Sequence, residues 1–248
     1  MNSTVTDTGR GRPYLLLHGG GGPTSMAGFG TLLAKHGRVV APTHPGFAGT
    51  PRPEAMDSAR ALAARYVELL AELDLSGVCV LGNSLGGWVA AEMALLGSPR
   101  LAAVVLIDAV GIEVPAHPIP DVASLTPHEL ARRAWYDPAK MPRPDNASAR
   151  RPSCVAQQHG RPGRLRRQHA GPNPSRPAQG RQDPCSGRLG EADRIGDVDY
   201  GRAYAADIPG ARFELLPHAG HLPQIEAPEA LLAIVANFAD RHATRSAA

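Results

Sequence analysis

The tightest constraint on how this chain can fold is the eleven-residue stretch 77–87, which reads G-V-C-V-L-G-N-S-L-G-G. Val78, Val80 and Leu81 form a short apolar run with the composition of a buried strand. The run stops at Gly82-Asn83-Ser84-Leu85-Gly86 and gives way at once to a predicted helix over 85–96. Turning a strand into a helix within one residue strains the serine backbone and brings positions 82 and 86 so close that side chains there would collide. Glycine at both is a steric requirement. The Ser84 hydroxyl is thereby held at the end of a strand, beside the unsatisfied N–H groups of a helix N-terminus. G-x-S-x-G alone also describes an ordinary glycine-rich turn; the flanking strand and helix make it the strand–turn–helix that presents a nucleophile.

The rest of the chain supplies more strands of the same kind. Tyr14-Leu15-Leu16-Leu17 is a short buried strand running into His18-Gly19-Gly20-Gly21-Gly22, where backbone can approach a ligand closely. A helix over 25–36, a strand over 38–42 and the loop T-H-P-G-F-A-G-T at 43–50 follow. Over 58–75, Leu62, Tyr66, Leu69, Leu70 and Leu73 recur at the spacing of one helical face. Beyond the elbow, A-V-V-L-I-D at 103–108 reads as another buried strand. A helix near 199–208 and a strand over 212–216 come next, then a helix opened by Pro228 with Leu231, Ile234, Val235 and Phe238 on one face. Apolar strands alternating with helices predict the α/β class, with a mostly parallel open sheet flanked by helices.

The 248 residues suffice for one such domain with an insertion. No run of about 18 apolar residues occurs, so no membrane partner is expected. The first residues lack the basic-then-apolar plan of a secretory leader. Cys79, Cys154 and Cys185 have neither metal nor disulfide spacing, so a reducing cytoplasm is the expected location.

Five pieces in order make the chain resemble the α/β-hydrolase fold family: L-L-H-G-G-G-G at 16–22, P-G-F-A-G-T at 45–50, G-N-S-L-G-G at 82–87, G-E-A-D-R-I at 190–195 and G-H-L-P-Q-I-E-A-P at 220–228. The resemblance covers 11–112 and 190–243, and it implies Ser84 as nucleophile, His221 as general base and Asp193 as the acid that orients it. It also implies the backbone N–H groups of Gly20 and Leu85 as an oxyanion hole, with Gly21 and Asn83 as candidate substrate contacts and no cofactor or metal. The chemistry agrees: a serine hydroxyl needs an imidazole to take its proton, and the imidazole needs a carboxylate to fix its tautomer. His218 is a rival base and Asp108, also at a strand end, a rival acid. His18 reads as a structural histidine pinning the glycine loop. The implied domains are a core of 1–112 and 190–248 and an inserted cap of 113–189, with a cap helix around 127–135.

Residues 149–188 break the pattern. They hold nine Arg, six Pro, five Gly and five Gln, with Val155 and Leu165 their only large aliphatics, and they carry a charge of +8 in a chain whose total is +3. The basic balance thus belongs to one segment, and a nucleic-acid partner is not expected. The family places a buried strand just before G-E-A-D, and residues 182–188, Q-D-P-C-S-G-R, do not read as one. Read from the second base of each codon, however, the degenerate code for 182–189 permits R-T-P-V-L-V-V-W. The same offset permits M-L-D-P-T-L-x-x-R-L-K over 169–179 and N-N-M-A-A-L-A-A-Y-A-G-N over 157–168. The expectation is that about 147–189 is an out-of-frame reading inside a damaged cap. A chain made as written is expected to lack a strand of its sheet and part of its lid, and to be marginal in stability or inactive.

The favoured activity is serine hydrolysis of a small apolar ester through an acyl-enzyme. The alternative is C–C bond hydrolysis of ring-fission products, whose enzymes H-G-G-G-G followed by G-N-S-x-G-G also resembles, although Leu222 stands where that subgroup often has tryptophan. Halide and epoxide chemistry is disfavoured, since those relatives carry Asp at the position of Ser84. A decayed pseudoenzyme or a non-catalytic binding protein on the same scaffold is the rival of another class. In each case the partner is a small molecule, and the sequence sets no oligomeric state.

Overall fold

The computed structural model describes residues 4–141 and 185–243. Seven strands, β1 (Val5–Thr8), β2 (Pro13–Leu17), β3 (Arg38–Pro42), β4 (Val78–Asn83), β5 (Leu101–Ile107), β6 (Cys185–Gly190) and β7 (Arg212–Leu216), form one sheet in the order β1-β3-β2-β4-β5-β6-β7. Only β1 is antiparallel to its neighbour. The helices are α1 (Thr24–Leu33), α2 (Ala59–Glu72), α3 (Leu85–Leu96), α4 (Pro127–Ala134), α5 (Val198–Ala206), α6 (Pro223–Glu226) and α7 (Pro228–Ala243).

Alternation along the central strands builds two cores. Leu15, Leu17, Val78, Val80, Val104 and Leu106 face α2 and α3, where Leu62, Tyr66, Leu70 and Met93 meet them. Tyr14, Leu16, Cys79, Leu81, Val105 and Ile107 face the other way, onto Phe29 of α1 and Leu231, Val235 and Phe238 of α7. Side chains of period two thus leave each strand apolar on both faces, as the sequence predicts. Local chemistry fixes the helix starts. Ser58 accepts from the Ala61 N–H at the head of α2. Thr126 and Glu129 close a capping box on α4 with Pro127 in its first turn.

Two elements depart from the sequence reading. β1 is unanticipated: V-T-D-T has little apolar signal because it lies at the edge, held by pairing of Val5 with Pro42 through Thr8 with Val39 and by an Asp7–Arg38 ion pair at 2.7 Å. The expectation that 182–188 cannot supply a strand is corrected, because Cys185–Gly190 runs parallel between β5 and β7. A ladder is made by backbone groups that any residue but proline carries, and two flanking strands leave a slot of one strand's width. The sheet therefore takes up the chain again five residues before Gly190. The remainder of the out-of-frame expectation, up to residue 184, lies outside the described residues. The helix expected around 127–135 forms as α4, with Ala131, Ala134 and Trp135 packed against Ile195.

Candidate active site

Ser84 joins β4 to α3 with φ 54° and ψ −114°, a region that residues with a side chain rarely enter. The glycines around it are obligatory. A Cβ on Gly82 would lie 2.1 Å from the Gly86 carbonyl oxygen, and one on Gly86 would lie 2.3 Å from that of Leu17. The turn is anchored by the Ser84 N–H, which donates to the Ile107 carbonyl at 2.9 Å. The loop after β2 closes over it, with Gly19 so near that a Cβ there would stand 3.0 Å from Ser84 Cβ. Gly20 and Gly21 follow in that loop, and the Gly22 N–H donates to the Gly19 carbonyl at 3.1 Å. Among the described residues, the N–H groups of Gly20 and Leu85 find no protein acceptor.

Asp193 follows β6 and His221 follows β7, so both arrive at the same edge of the sheet as Ser84. His221 Nδ1 meets Asp193 Oδ2 at 2.8 Å, and both residues are buried. Asp193 Oδ1 accepts from the N–H groups of Ile195 (2.7 Å) and Gly196 (3.3 Å), which fixes the carboxylate plane. The acceptor at Nδ1 makes Nδ1–H the bonded tautomer and leaves Nε2 with its lone pair. Asn83 ties this loop to the elbow, its Nδ2 donating to the His221 carbonyl (3.1 Å) and the Ile107 carbonyl (3.3 Å). Ser84 Oγ and the His221 ring are brought to one edge of the sheet, with no hydrogen bond between them. The rival His218 is exposed and faces Glu191 and Tyr136.

His18 behaves as the structural residue the sequence suggests. Its Nδ1–H donates to the Gly19 carbonyl (2.8 Å) and its Nε2 accepts the His44 N–H (3.0 Å). His44 in turn donates Nε2–H to the His18 carbonyl (2.8 Å) and accepts at Nδ1 from the Tyr66 hydroxyl. The bonds accepted at His18 Nε2 and His44 Nδ1 require neutral rings, and burial enforces it. Desolvation holds His18 down to about 4, and desolvation together with the neighbouring His18 holds His44 well below the ordinary imidazole range. The glycine loop is thus clamped from below by α2.

Three contributors were hidden from sequence reasoning. Gln224 is buried and its Nε2 donates to Asn83 Oδ1 (3.2 Å). Glu226 accepts the N–H groups of Gly220 (2.8 Å), Tyr136 (3.0 Å) and Asp137 (3.2 Å), fastening the end of α4 to the histidine loop. Both sit in the P-Q-I-E-A-P stretch, whose regular spacing was the only signal. His44 is the third, with nothing in T-H-P-G to point to it. One oxygen each of Asp108 and Asp193 and one ring nitrogen of His221 lie within 4.8 Å of one another. A metal there would have to displace the Asp193–His221 bond.

A model of the alpha/beta hydrolase family matches residues 14–234. The chain belongs to that family. Among curated relatives, it is 34% identical over 117 residues to a 2-hydroxy-6-oxo-2,4-heptadienoate hydrolase of Pseudomonas putida, a match spanning 45% of this chain and 42% of that protein. It is 28% identical over 263 aligned positions to a 2-hydroxymuconate semialdehyde hydrolase of Pseudomonas putida, covering 95% of this chain and 90% of the relative. The fold is shared with a meta-cleavage product hydrolase from Pseudomonas fluorescens IP01 (23% identity, 96% and 93% of the two chains, TM-score 0.71). It is shared equally with a thermophilic esterase from Thermogutta terrifontis (23% identity, 96% and 93%, TM-score 0.71). The expected fold class is therefore met, with a hydrolase of this family as the enzyme. Among the described residues no helix is long and apolar enough to cross a membrane.

Proposed function

We propose that the chain is a serine hydrolase in which Ser84, His221 and Asp193 form the catalytic triad. The observation that carries this reading is the 2.8 Å pairing of His221 Nδ1 with Asp193 Oδ2 beside a serine on a strained elbow. In the first step His221 Nε2 takes the Ser84 proton as Oγ attacks the substrate carbonyl carbon. The carbonyl oxygen becomes an oxyanion facing the N–H groups of Gly20 and Leu85, each donor worth about 2.7–4 kcal/mol in the transition state. Collapse of the intermediate expels the leaving group, which receives the proton from His221. Water then repeats the cycle on the acyl-enzyme and returns the serine. Asp193 holds the tautomer and offsets the charge on the imidazolium.

The reading favoured by this machinery is hydrolysis of a small apolar ester. C–C bond hydrolysis is the second reading, favoured by the names of the two Pseudomonas putida relatives. There the bond broken is between the attacked carbonyl carbon and its carbon neighbour, and the departing carbon takes the proton. Gly21 and Asn83 are proposed as substrate contacts in either case. The location is proposed as cytoplasmic, with no nucleic-acid partner.

A fluorophosphonate probe tests the nucleophile: labelling is expected in the wild-type chain and lost in Ser84→Ala. Label that persists in Ser84→Ala removes Ser84 from the reaction, and a wild-type chain that takes no label is a pseudoenzyme. Side-by-side turnover of p-nitrophenyl butyrate and of a 2-hydroxy-6-oxo-dienoate then separates ester from C–C hydrolysis.

A further inference from the structure

Asp108 immediately follows β5, and its backbone takes φ +46°, in the left-handed region that favours glycine. It is 1% exposed. One oxygen, Oδ1, accepts the Gly190 N–H at 2.9 Å, whereas Oδ2 is buried without a partner among the described residues. An ionised oxygen left that way would carry the full desolvation penalty of a charge. Asp193, by contrast, has an N–H donor or the imidazole on both oxygens: Ile195 and Gly196 on Oδ1 and His221 on Oδ2. An oxygen of each carboxyl group lies within 4.8 Å of one on the other. Two carboxylates at that range in a buried site do not both ionise, and the charge goes to the better-solvated one.

We propose that Asp108 is a positioning residue for the acid–histidine pair, a neutral carboxylic acid whose Oδ2–H is donated to the Asp193 carboxylate. The proton gives the orphaned oxygen its partner and adds a further donor to Asp193. The charged and titratable groups around it are Asp193 on the loop after β6, His221 on the loop after β7 and Glu226 on α6. Burial first, and then the charge of Asp193, push the Asp108 carboxyl well above the ordinary range, in keeping with a proton retained at neutral pH. The role assigned to Asp108 rests on the triad reading above. It leaves a single negative charge beside the imidazole, and it makes that charge a weaker attractor than a bare carboxylate would be.

Two measurements decide it. The infrared difference between the wild-type chain and Asp108→Asn at neutral pH should contain the C=O stretch of a protonated carboxylic acid. Absence of that band overturns the proposal, and the spectrum needs no activity. The second is the acidic limb of the kcat/KM pH profile. Asp108→Asn keeps a neutral donor in place, so the limb should stay where the wild-type chain has it, whereas Asp108→Leu removes the donor and should move it to higher pH. If Asp108 is instead charged, Asp108→Asn deletes an anion near the imidazole and the limb moves to lower pH by about one unit or more, which overturns the proposal. Asp108→Asn alone is decisive should Asp108→Leu not fold. Fluorophosphonate labelling of Ser84 reports the triad separately, so a missing infrared band with labelling intact removes the Asp108 assignment and leaves the triad standing.

Discussion

In β4 a Cβ on Gly82 would lie 2.1 Å from the Gly86 carbonyl oxygen, whereas in β6 a Cβ on Gly187 would meet nothing nearer than Phe213 Cδ2 at 3.6 Å. Both glycines sit in parallel strands on the carboxyl-end side of which a proposed triad member follows. Gly82 is glycine because the elbow leaves no room for anything else. Gly187 faces a recess lined by Leu106, Ala109, Tyr204, Ala205, Ile208 and Phe213, with room for a side chain and none to fill it. The alternative reading frame places valine at 187, within a V-L-V-V-W run over 185–189 that coincides with β6. One half of the sheet is therefore specified by its side chains, and the other is held in place by its neighbours. The coding DNA across codons 140–195 decides the matter directly: a second frame without an apolar strand at 182–189 sinks the out-of-frame reading.

The largest effect should come from asking whether the weakly specified half still carries function. Asp193→Asn is expected to lower kcat by about 10⁴ by stabilising the wrong imidazole tautomer, measured with the ester substrate. A small loss would mean that β6 does not deliver Asp193 to the site. On the other half, Gly82→Ala should destabilise the chain by about 4 kcal/mol or more, the size reserved for backbone collisions, read from urea unfolding. An unchanged midpoint would remove the steric account of the elbow. Replacing 182–189 with R-T-P-V-L-V-V-W should raise stability by about 3 kcal/mol or more, two buried side chains at 1.5–3 kcal/mol each.

Acid should discriminate the halves in a different way. The His18 ring is held down to about 4 by burial, against about 6.5 in an unfolded chain. Below its unfolded value the unfolded state binds the proton and the folded state does not. The His18 ring should thus contribute a loss of about 3 kcal/mol as pH drops from 6.5 to 4, and His44 adds in the same direction, whereas a proton retained by Asp108 works the opposite way. His18→Asn should flatten that slope. An equally steep decline in the variant would place the acid sensitivity elsewhere. The smallest effect is the gentlest repair: Gly187→Val should stabilise by about 1–2 kcal/mol, through apolar burial and strand preference, and a loss would mean the recess cannot accept the side chain.

The two halves were also unequally legible. β2, β4 and β5 announced themselves because each is buried on both faces, which writes a continuous apolar run into the sequence. The elbow was legible because part of its sterics is local, the Gly82 position facing the Gly86 carbonyl within the same turn. β1 and β6 were not, since one is a polar edge and the other owes its place to pairing with strands 81 and 26 residues away in the chain (Val104 with Cys185, Phe213 with Gly187). Among the proposed site residues, Ser84, Asp193 and His221 were suggested by motif order, and His221 over His218 by its downstream context. The clamp of His18, His44 and Tyr66, and the bridge from Gln224 through Asn83 to the His221 carbonyl, could not. Their members are too far apart in sequence to share any spacing.

By itself, then, the chain determined a serine on a strained turn, apolar strands that must be covered on both sides, and the order in which an acid and a histidine follow. Tertiary structure alone decided that Asp108, at the next strand end, is left with an orphaned oxygen, and it alone made a strand of C-S-G-R-L-G. The division has one physical cause. Steric and periodic rules act between near neighbours and are written in the sequence, whereas hydrogen-bond pairing and shared charge depend on distances that exist only after the sheet has closed.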